Sequence, residues 1–338
     1  MSTTGIGTSG MSEASSLSID TSIRRHRIGG SPPLLPVAFG GSLYTPASAS
    51  GTQEEDFAGA ITAAYDAGIR HFDTAAGYAG GRSEEIYGDF IASRRGEIFL
   101  ASKANPADPG GEAMAAAVED SLRRLKTDHI DLYYIHWPRG GADMRPRMEA
   151  LEAARRAGKI GAVGVSNFSV AEMRQVQEVG RIDAHQLGYN LLWRHAEREV
   201  IPFCTENGIA VVAYSTLAHG ILTGKFGPTP DLSDDDQRHR VLPFRADIWP
   251  HVHAGVEELK GVAREAGRPL AHLAIRWSLA RPGIDAVVVG ARSRAQCEAN
   301  LAALGGALGQ GTFERMTAIS DGITAHVPDE GNLFDYHP

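Results

Sequence analysis

Cysteine is nearly absent from this sequence, because Cys204 and Cys297 are the only two in 338 residues and they form no paired motif. This argues against a disulfide-stabilised secreted domain and favours a reducing cytoplasm. No run approaches the roughly 20 uninterrupted apolar residues that a membrane helix needs. Basic residues are not in excess either, since 33 Lys and Arg stand against 41 Asp and Glu, and the net charge of −8 argues against a nucleic-acid surface.

The first 22 residues contain no lysine, no arginine and no periodic apolar pattern. A segment so rich in Ser, Thr and Gly cannot bury enough apolar surface to order itself, so we predict a disordered tail over 1–22 and a single domain over 23–338. It has neither the apolar core of a signal peptide nor the basic residues of a mitochondrial presequence. Gly5, Gly7 and Gly10 spell G-x-G-x-x-G, but without a flanking strand and helix we expect no dinucleotide site there.

What the sequence does contain is a long alternation of strand-like and helix-like stretches. The strand-like runs are 34–41, 69–73, 97–102, 130–136, 159–166, 184–190, 209–215 and 285–290. Each is followed by a helix-like stretch and no linker interrupts them, which predicts a (β/α)8 TIM barrel from about residue 34 to about residue 320. After the seventh strand, the long segment Leu217–Pro250 predicts a loop across the barrel mouth.

Four titratable residues come at or just after the ends of the early strands. They are Asp73, Tyr78, Lys103 and His136. The loops at the C-terminal strand ends of such barrels converge on one mouth, so these side chains would form a proton-handling site, which indicates an enzyme. Taken singly, each has a structural alternative: the Asp as a helix cap, the Lys as a solvated side chain, the Tyr and His as packing residues. No third ligand at zinc spacing accompanies His251 and His253, so we expect no metal.

The motifs HFDTAAGY, GGRSEEIYG, FLASK, YYIHWP, GVSNF, AYSTLAHGILTGKF and VVVGARSRAQCEANL, in this order, resemble the signatures of the aldo-keto reductases. The resemblance spans nearly the whole barrel. It implies an NADPH-dependent carbonyl reductase on a TIM barrel, in which Asp73, Tyr78, Lys103 and His136 are the catalytic tetrad. Two departures, Gly188 in AHQLGYN and the short NPADPGG after Lys103, concern the substrate pocket more than the chemistry.

The resemblance also implies where NADP(H) would bind. The implied contacts are Ser166, Asn167 and Gln186 for the carboxamide, Tyr214 for stacking on the nicotinamide, Ser215, Leu217 and Lys225 for the pyrophosphate, and Gly290, Arg292, Ser293, Arg294, Gln296 and Asn300 around the last barrel helix. A phosphate at that helix N-terminus is favoured by free N–H groups and the helix dipole. In the alternative interpretation, Ser293 only caps the helix and the arginines are solvated.

Carbonyl reduction needs a hydride at carbon and a proton at oxygen. Tyr78 is the expected proton donor, although an unperturbed phenol has a pKa near 10 and is a poor acid at neutral pH. We expect the Lys103 ammonium to lower that pKa and Asp73 to hold the ammonium charged and aimed. His136 can hydrogen-bond the substrate oxygen and share its developing charge.

Other activities stay open. The same site could oxidise a sugar or alcohol, a barrel aldolase could form a Schiff base through a neutral Lys103, and a regulatory subunit could bind the cofactor without turnover. The partner is a small carbonyl or alcohol, and the sequence does not specify its identity, the reaction direction or the oligomeric state. Aromatic residues that could contact the substrate are Tyr44, Trp137 and Trp193, within a wider set that adds Leu43, Phe244 and Trp249. All of these would suit core packing nearly as well.

Overall fold

The computed structural model describes residues 19–42, 53–234 and 236–329. Eight parallel strands follow one another in sequence order around a closed barrel, and the eighth pairs with the first. The strands are β1 Val37–Gly40, β2 His71–Asp73, β3 Phe99–Ala104, β4 Ile130–Ile135, β5 Ile160–Ser166, β6 Ala184–Gly188, β7 Ala210–Tyr214 and β8 Ala286–Gly290. The TIM barrel predicted from the alternation is confirmed.

Ten α-helices occur in the described residues. They are α1 Glu54–Asp66, α2 Arg82–Ile91, α3 Gly111–Arg124, α4 Arg145–Arg156, α5 Val170–Gln177, α6 Val200–Glu206, α7 Trp249–Glu265, α8 Leu270–Leu279, α9 Arg294–Leu301 and α10 Gln310–Thr324. None of these helices is long and apolar enough to cross a membrane. Helix α10 was not predicted. It packs on α7, where Gly255 leaves room for Ile323: a Cβ at Gly255 would lie 2.2 Å from that side chain.

Three aspartates fix the register of alternate strands at the N-terminal edge of the barrel. Asp131, Asp183 and Asp285 lie at or just before the start of β4, β6 and β8. A carboxylate oxygen of each accepts a hydrogen bond from a backbone N–H of the preceding odd-numbered strand, at 2.8, 3.0 and 2.8 Å respectively. These charge-assisted bonds hold the closed edge and leave the opposite strand ends to carry functional side chains.

The N-terminal edge is covered by an antiparallel pairing of His26 with Leu34. Ile28 and Leu34 are buried there against interior residues of the barrel such as Phe99 and Leu132. The bottom of the barrel is therefore packed with side chains, and the site must lie at the other end.

Residues 19–22 belong to the fold, so the predicted tail boundary at residue 22 is wrong. Ile19 and Asp20 make backbone contacts with the segment that follows α9. Oδ2 of Asp20 accepts a hydrogen bond from Arg276 at 2.6 Å, and the two side chains are only 8% and 6% exposed. A single Ile-Asp pair within a Ser-rich segment has no periodicity, which is why composition missed it. The rest of the predicted tail, 1–18, lies outside the described residues.

The described residues of the segment Leu217–Pro250 are folded, and several of them pack in the main hydrophobic core. The segment contains the short 3₁₀ helices Ala218–Thr223, Gln237–Arg240 and Leu242–Phe244. The rings of Phe244 and Trp249 stack at 5.4 Å, and Phe226 meets both edge-on. Phe244 and Trp249 therefore fit the packing interpretation and not the substrate-contact one. Shortening this segment would remove buried apolar surface as well as any part it has in the site.

The stability of the barrel should depend on the protonation of His26. This side chain is 7% exposed, and burial lowers its pKa from the ordinary 6.5 to about 4. The unfolded chain then binds a proton at higher pH than the folded chain, so the free energy of unfolding falls as pH decreases from 6.5 to about 4. His26→Leu should weaken this pH dependence by up to ~3 kcal/mol.

Urea denaturation of wild type and His26→Leu across this pH range measures the difference. His239→Leu, at an exposed histidine, is the control for losing any histidine. Parallel pH profiles for wild type and His26→Leu would contradict the assignment.

Candidate active site

The structure brings the four predicted catalytic residues together at the C-terminal ends of β2, β3 and β4. Asp73 ends β2, Lys103 lies near the end of β3, and His136 follows β4. Tyr78 begins the 3₁₀ turn that follows β2. Its ring meets that of His136 edge-on at 5.7 Å, and Nζ of Lys103 lies 5.2 Å from the centre of the Tyr78 ring.

Lys103 is a buried cation whose charge is balanced by an adjacent buried carboxylate. Its Nζ donates to Oδ1 of Asp73 at 2.5 Å and to the carbonyl oxygen of Thr74 at 2.7 Å, and the Lys103 and Asp73 side chains are 1% and 3% exposed. Burial lowers the pKa of Lys103, and the charges of Asp73 and Glu84 oppose that shift. Removing either partner of such a pair leaves an uncompensated buried charge.

Gln186 joins this pair from the far side of the barrel. Its Nε2 donates to Oδ2 of Asp73 at 2.8 Å, so both carboxylate oxygens of Asp73 accept hydrogen bonds. The resemblance had implied a contact with the cofactor carboxamide. In the structure the amide of Gln186 fixes the orientation of Asp73.

The pKa of Tyr78 is raised, so the expectation that Lys103 lowers it is wrong. Burial is the main cause, and the negative charge of Asp73 adds to it. The Lys103 ammonium is neutralised by Asp73 at 2.5 Å, which leaves little net positive field at the phenol. Tyr78 therefore keeps its proton at neutral pH.

His136 is neutral at physiological pH. Burial, with the Lys103 charge as a second cause, lowers its pKa to about 3. The half-buried Trp137 stacks on it, with ring centres 6.1 Å apart and an interplanar angle of 25°. A neutral imidazole can donate one hydrogen bond without adding a charge to the site.

At the ends of β5 and β7, polar side chains form a connected set. The hydroxyl of Tyr214 donates to Oδ1 of Asn167 at 2.6 Å, and Nδ2 of Asn167 donates to Oγ of Ser166 at 3.0 Å and to the carbonyl of His136 at 3.2 Å. Asn167 has a left-handed backbone with φ of 64°. Gly188 faces the Tyr214 ring, because a Cβ there would lie 3.4 Å from it. The Tyr214 ring thus covers Gly188, one of the two places where the sequence departs from the family signatures.

The loop after β7 begins with several left-handed residues. Ser215, Ala218 and His219 have φ of 54°, 47° and 54°. The carbonyl of Ser215 accepts from Asn190 at 3.0 Å, and that of Leu217 accepts from the N–H of Gly220 at 2.9 Å. Non-glycine residues in this region carry strain and are most common at binding sites.

Two cations of the loop after β7 and one of the turn after β8 interact electrostatically and are here called the cationic cluster: Lys225, Arg238 and Arg292. Burial lowers the pKa of Lys225, and the charges of Arg238 and Arg292 lower it further. Arg238 is held by both oxygens of Asp236, at 2.9 and 3.0 Å from its Nε. Its role was not predicted, since nothing local distinguishes QRHR in a polar loop.

The turn between β8 and α9 is held by its own side chains. Oγ of Ser293 accepts from the N–H of Gln296 at 3.3 Å, and Oε1 of Gln296 accepts from the N–H of Arg292 at 2.7 Å. Nδ2 of Asn300 donates to the carbonyl of Gly290 at 3.1 Å. Ser293 is therefore the helix cap that the alternative interpretation described, and it fixes the backbone that carries Arg292.

The two arginines of this turn have different surroundings. Arg294 lies 3.7 Å from Asp66 and 3.5 Å from Glu298. Arg292 is exposed and makes no ion pair with the described part of the chain. Of the two, Arg292 has the positive charge that is available to an anion.

The predicted substrate-contact residues have different positions. Trp137 lies beside His136. Trp193 is 5% exposed in the core, with its ring edge-on to His195 at 4.5 Å, so its position fits the packing interpretation. Tyr44 and Leu43 lie outside the described residues. Across 19–42, 53–234 and 236–329, no three His, Cys, Asp or Glu form a group that could hold a metal ion.

Comparison with known proteins identifies the family of this chain. The model of the aldo/keto reductase family matches residues 36–321. The aldo-keto reductase YhdN of Bacillus subtilis is 36% identical over an alignment of 291 residues, and the match covers 83% of this chain and 85% of that protein.

Two solved structures superpose on the barrel. The glycerol dehydrogenase of Gluconobacter oxydans has a TM-score of 0.80 at 30% identity, over 91% of this chain and 98% of its own. A Klebsiella pneumoniae aldo-keto reductase in complex with NADPH has a TM-score of 0.74 at 26% identity, and the match covers 94% of this chain and 100% of that one. The motifs, the barrel and the family model, which matches most of the chain, show that this chain belongs to the aldo/keto reductase family.

Proposed function

We propose that this protein is an NADP(H)-dependent oxidoreductase that reduces an aldehyde, ketone or sugar carbonyl to an alcohol. The observation that carries the proposal is the arrangement of a protonated Tyr78 edge-on to a neutral His136, over the buried Lys103–Asp73 pair. The family membership and the NADPH complex of the Klebsiella relative support it.

The described residues fit a dinucleotide with a 2′-phosphate. The cationic cluster brings together positive charges from the loop after β7 and the turn after β8, and the capped N-terminus of α9 adds free N–H groups beside Arg292. Ser166, Asn167 and Tyr214 would hold the nicotinamide end, and Ser215, Leu217 and Lys225 the pyrophosphate. When bound, the reduced nicotinamide supplies the hydride.

The residues of the protein supply the proton and orient the substrate carbonyl. Tyr78 holds a proton at its hydroxyl over the neutral pH range and gives it to the carbonyl oxygen as negative charge develops there. The imidazole N–H of His136 donates to the same oxygen and orients it. The Lys103 ammonium lies 5.2 Å from the centre of the Tyr78 ring and, paired with Asp73, helps to fix the position of the phenol. Asp73, held by Gln186, keeps that ammonium in place.

A Schiff-base aldolase is disfavoured by the geometry of Lys103. Such a lysine must be neutral and reach the substrate carbonyl. The ammonium of Lys103 donates to Asp73 and Thr74, and its side chain is 1% exposed. Both the charge and the position oppose attack on a carbonyl.

The oxidative direction is the second candidate, because the same residues run the reaction in reverse. The Gluconobacter relative is a glycerol dehydrogenase. A regulatory subunit without turnover is the third, and the complete tetrad argues against it. We propose a cytoplasmic location from the two unpaired cysteines, both buried.

The test is a substrate panel with the purified protein. NADPH absorbance is followed with aldehydes, ketones and sugars, and NADP reduction with the corresponding alcohols. We expect NADPH consumption with at least one carbonyl class. Cofactor binding without turnover in either direction would favour the regulatory subunit, and borohydride trapping of the protein on a carbonyl would favour the aldolase.

A further inference from the structure

A buried carboxylate lies just outside the barrel wall behind the tetrad. Glu84, on α2, is fully buried. Its Oε1 accepts from the hydroxyl of Ser102 at 2.5 Å, and its Oε2 accepts from Nε of Arg124 at 2.6 Å. A buried charge is costly unless it is paired in this way, so the position of Glu84 calls for an explanation.

The bond to Ser102 reaches the strand that carries Lys103. Successive residues of a strand point to opposite faces, so Ser102 is turned toward the helices while Lys103 points into the barrel. Glu84 therefore fixes β3 from the outside at the residue next to the active-site lysine.

The bond to Arg124 reaches the turn that carries Tyr78. After Tyr78, the residues Ala79, Gly80 and Gly81 have φ of 51°, 64° and 97°, three left-handed conformations in a row. Gly81 lies on the Arg124 side chain, since a Cβ there would be 2.9 Å from its Cδ. Such a turn persists only where its surroundings hold it, and Arg124 supplies that support.

Helix α2 comes close enough for these contacts because of Gly88, one helical turn after Glu84. A Cβ at Gly88 would lie 2.6 Å from the carbonyl oxygen of Arg124. The backbone of α2 thus touches the end of α3 directly. The motif RSEEIYG, which the resemblance used only as a signature, provides both the carboxylate and this close approach.

The titratable groups that interact with Lys103 come from several elements. Asp73 and Glu84 stabilise its ammonium, while His71 and His136 interact with it as titratable groups. The rings of Tyr78 and Tyr134 lie 5.2 and 5.9 Å from its Nζ. Around Glu84 the corresponding groups are Arg124, Ser102 and the nearby phenol of Tyr133.

We propose that Glu84 is a positioning residue for the carbonyl reduction, holding the Tyr78 turn through Arg124 and the Lys103 strand through Ser102. The inference rests on the proposed function, because it assigns those two residues their roles. Glu84 itself is separated from the substrate by the barrel wall and acts only through its neighbours.

The test compares Glu84→Gln with Glu85→Gln. Glutamine keeps the size and one acceptor oxygen but removes the charge, while Glu85 is partly exposed and paired with Arg82 on the helix surface. For Glu84→Gln we expect kcat to fall about 10-fold to 100-fold, with NADPH affinity and substrate KM within about 2-fold, because small misplacements of reacting groups cost this much.

The pH profile gives a readout that a purely structural role would not move. Without the Glu84 charge the pKa of Lys103 should be lower, so the basic limb of the kcat profile, where Lys103 loses its charge, should shift to lower pH. Glu85→Gln should keep the wild-type kcat and profile.

Each outcome decides a separate point. If Glu84→Gln and Glu85→Gln have the same kcat and profile, the positioning role is overturned. If Glu84→Gln does not fold, Ser102→Ala and Arg124→Lys keep the buried carboxylate and decide the question: at least one must lower kcat at unchanged NADPH affinity. Tyr78→Phe in the same assay tests the proposed function itself, since full activity there would overturn that function whatever Glu84 does.

Discussion

Replacement of Tyr78 by Phe should lower kcat by about 100-fold to 10,000-fold and leave NADPH affinity nearly unchanged. The phenylalanine ring can keep its edge-on contact with His136 at 5.7 Å and its place beside Lys103. Only the hydroxyl is lost, and with it the group that gives the proton to the carbonyl oxygen. Because burial raises the pKa of Tyr78, this proton is present throughout the neutral range in the wild type.

Steady-state kinetics with the best substrate of the panel, together with fluorescence titration of NADPH, measures both parts of this expectation. Tyr133→Phe is a matched control, since it removes a buried phenol hydroxyl that bonds Ser121 at 2.8 Å outside the tetrad. That variant should lose some stability and keep its kcat. Retention of more than about a tenth of the wild-type kcat by Tyr78→Phe would remove Tyr78 from the role of general acid.

Most of the barrel could be predicted because its strands are short, apolar and separated by helical periodicity. The same regularity placed Asp73, Lys103 and His136 at strand ends, where the topology alone brings side chains to one mouth. The segment 19–22 and helix α10 were missed for different reasons. The first is too short to show any period, whereas α10 repeats apolar residues such as Phe313, Met316 and Ile323 but follows the last helix that the eight-fold alternation required.

The electrostatics of the site could not be read from the sequence. The pKa of Tyr78 depends on how completely Asp73 neutralises Lys103, which is a matter of a 2.5 Å contact and of burial. Gln186 is separated from Asp73 by 113 residues, and Glu84 from Arg124 by 40. Motifs indicate which residues a site needs, but partners across the barrel follow only from the folded arrangement.

The long loop after β7 shows that the packing of a polar segment is also hard to predict from its sequence. The sequence predicts only a loop across the barrel mouth, yet Val241, Leu242 and Phe244 are buried. Its Arg238 joins the cationic cluster from a stretch with no local signal. Function and packing are thus combined in one segment, and point substitutions are better probes of it than deletions.

Arg292→Ala should weaken NADPH binding by about 10-fold to 150-fold and hardly affect NADH. The two cofactors differ by the 2′-phosphate, and a planar guanidinium can bind two of its oxygens together. A hydrogen bond to a charged group contributes roughly 1.5–3 kcal/mol, at about 1.4 kcal/mol per decade of affinity. Arg292 is exposed and unpaired within the described residues, beside the capped N-terminus of α9, so its charge is available.

Titrations of NADPH and NADH against the same variants measure this preference. Arg294→Ala is the control on the same turn, and because Arg294 is near Asp66 and Glu298 we expect only a small effect from its loss. Arg238→Ala tests the opposite side of the cationic cluster. Equal weakening of NADPH and NADH by Arg292→Ala would mean that Arg292 supports the turn and does not recognise the phosphate. A selective loss of NADPH in Arg238→Ala alone would move that recognition to the loop after β7, where Asp236 already holds the guanidinium in a fixed orientation.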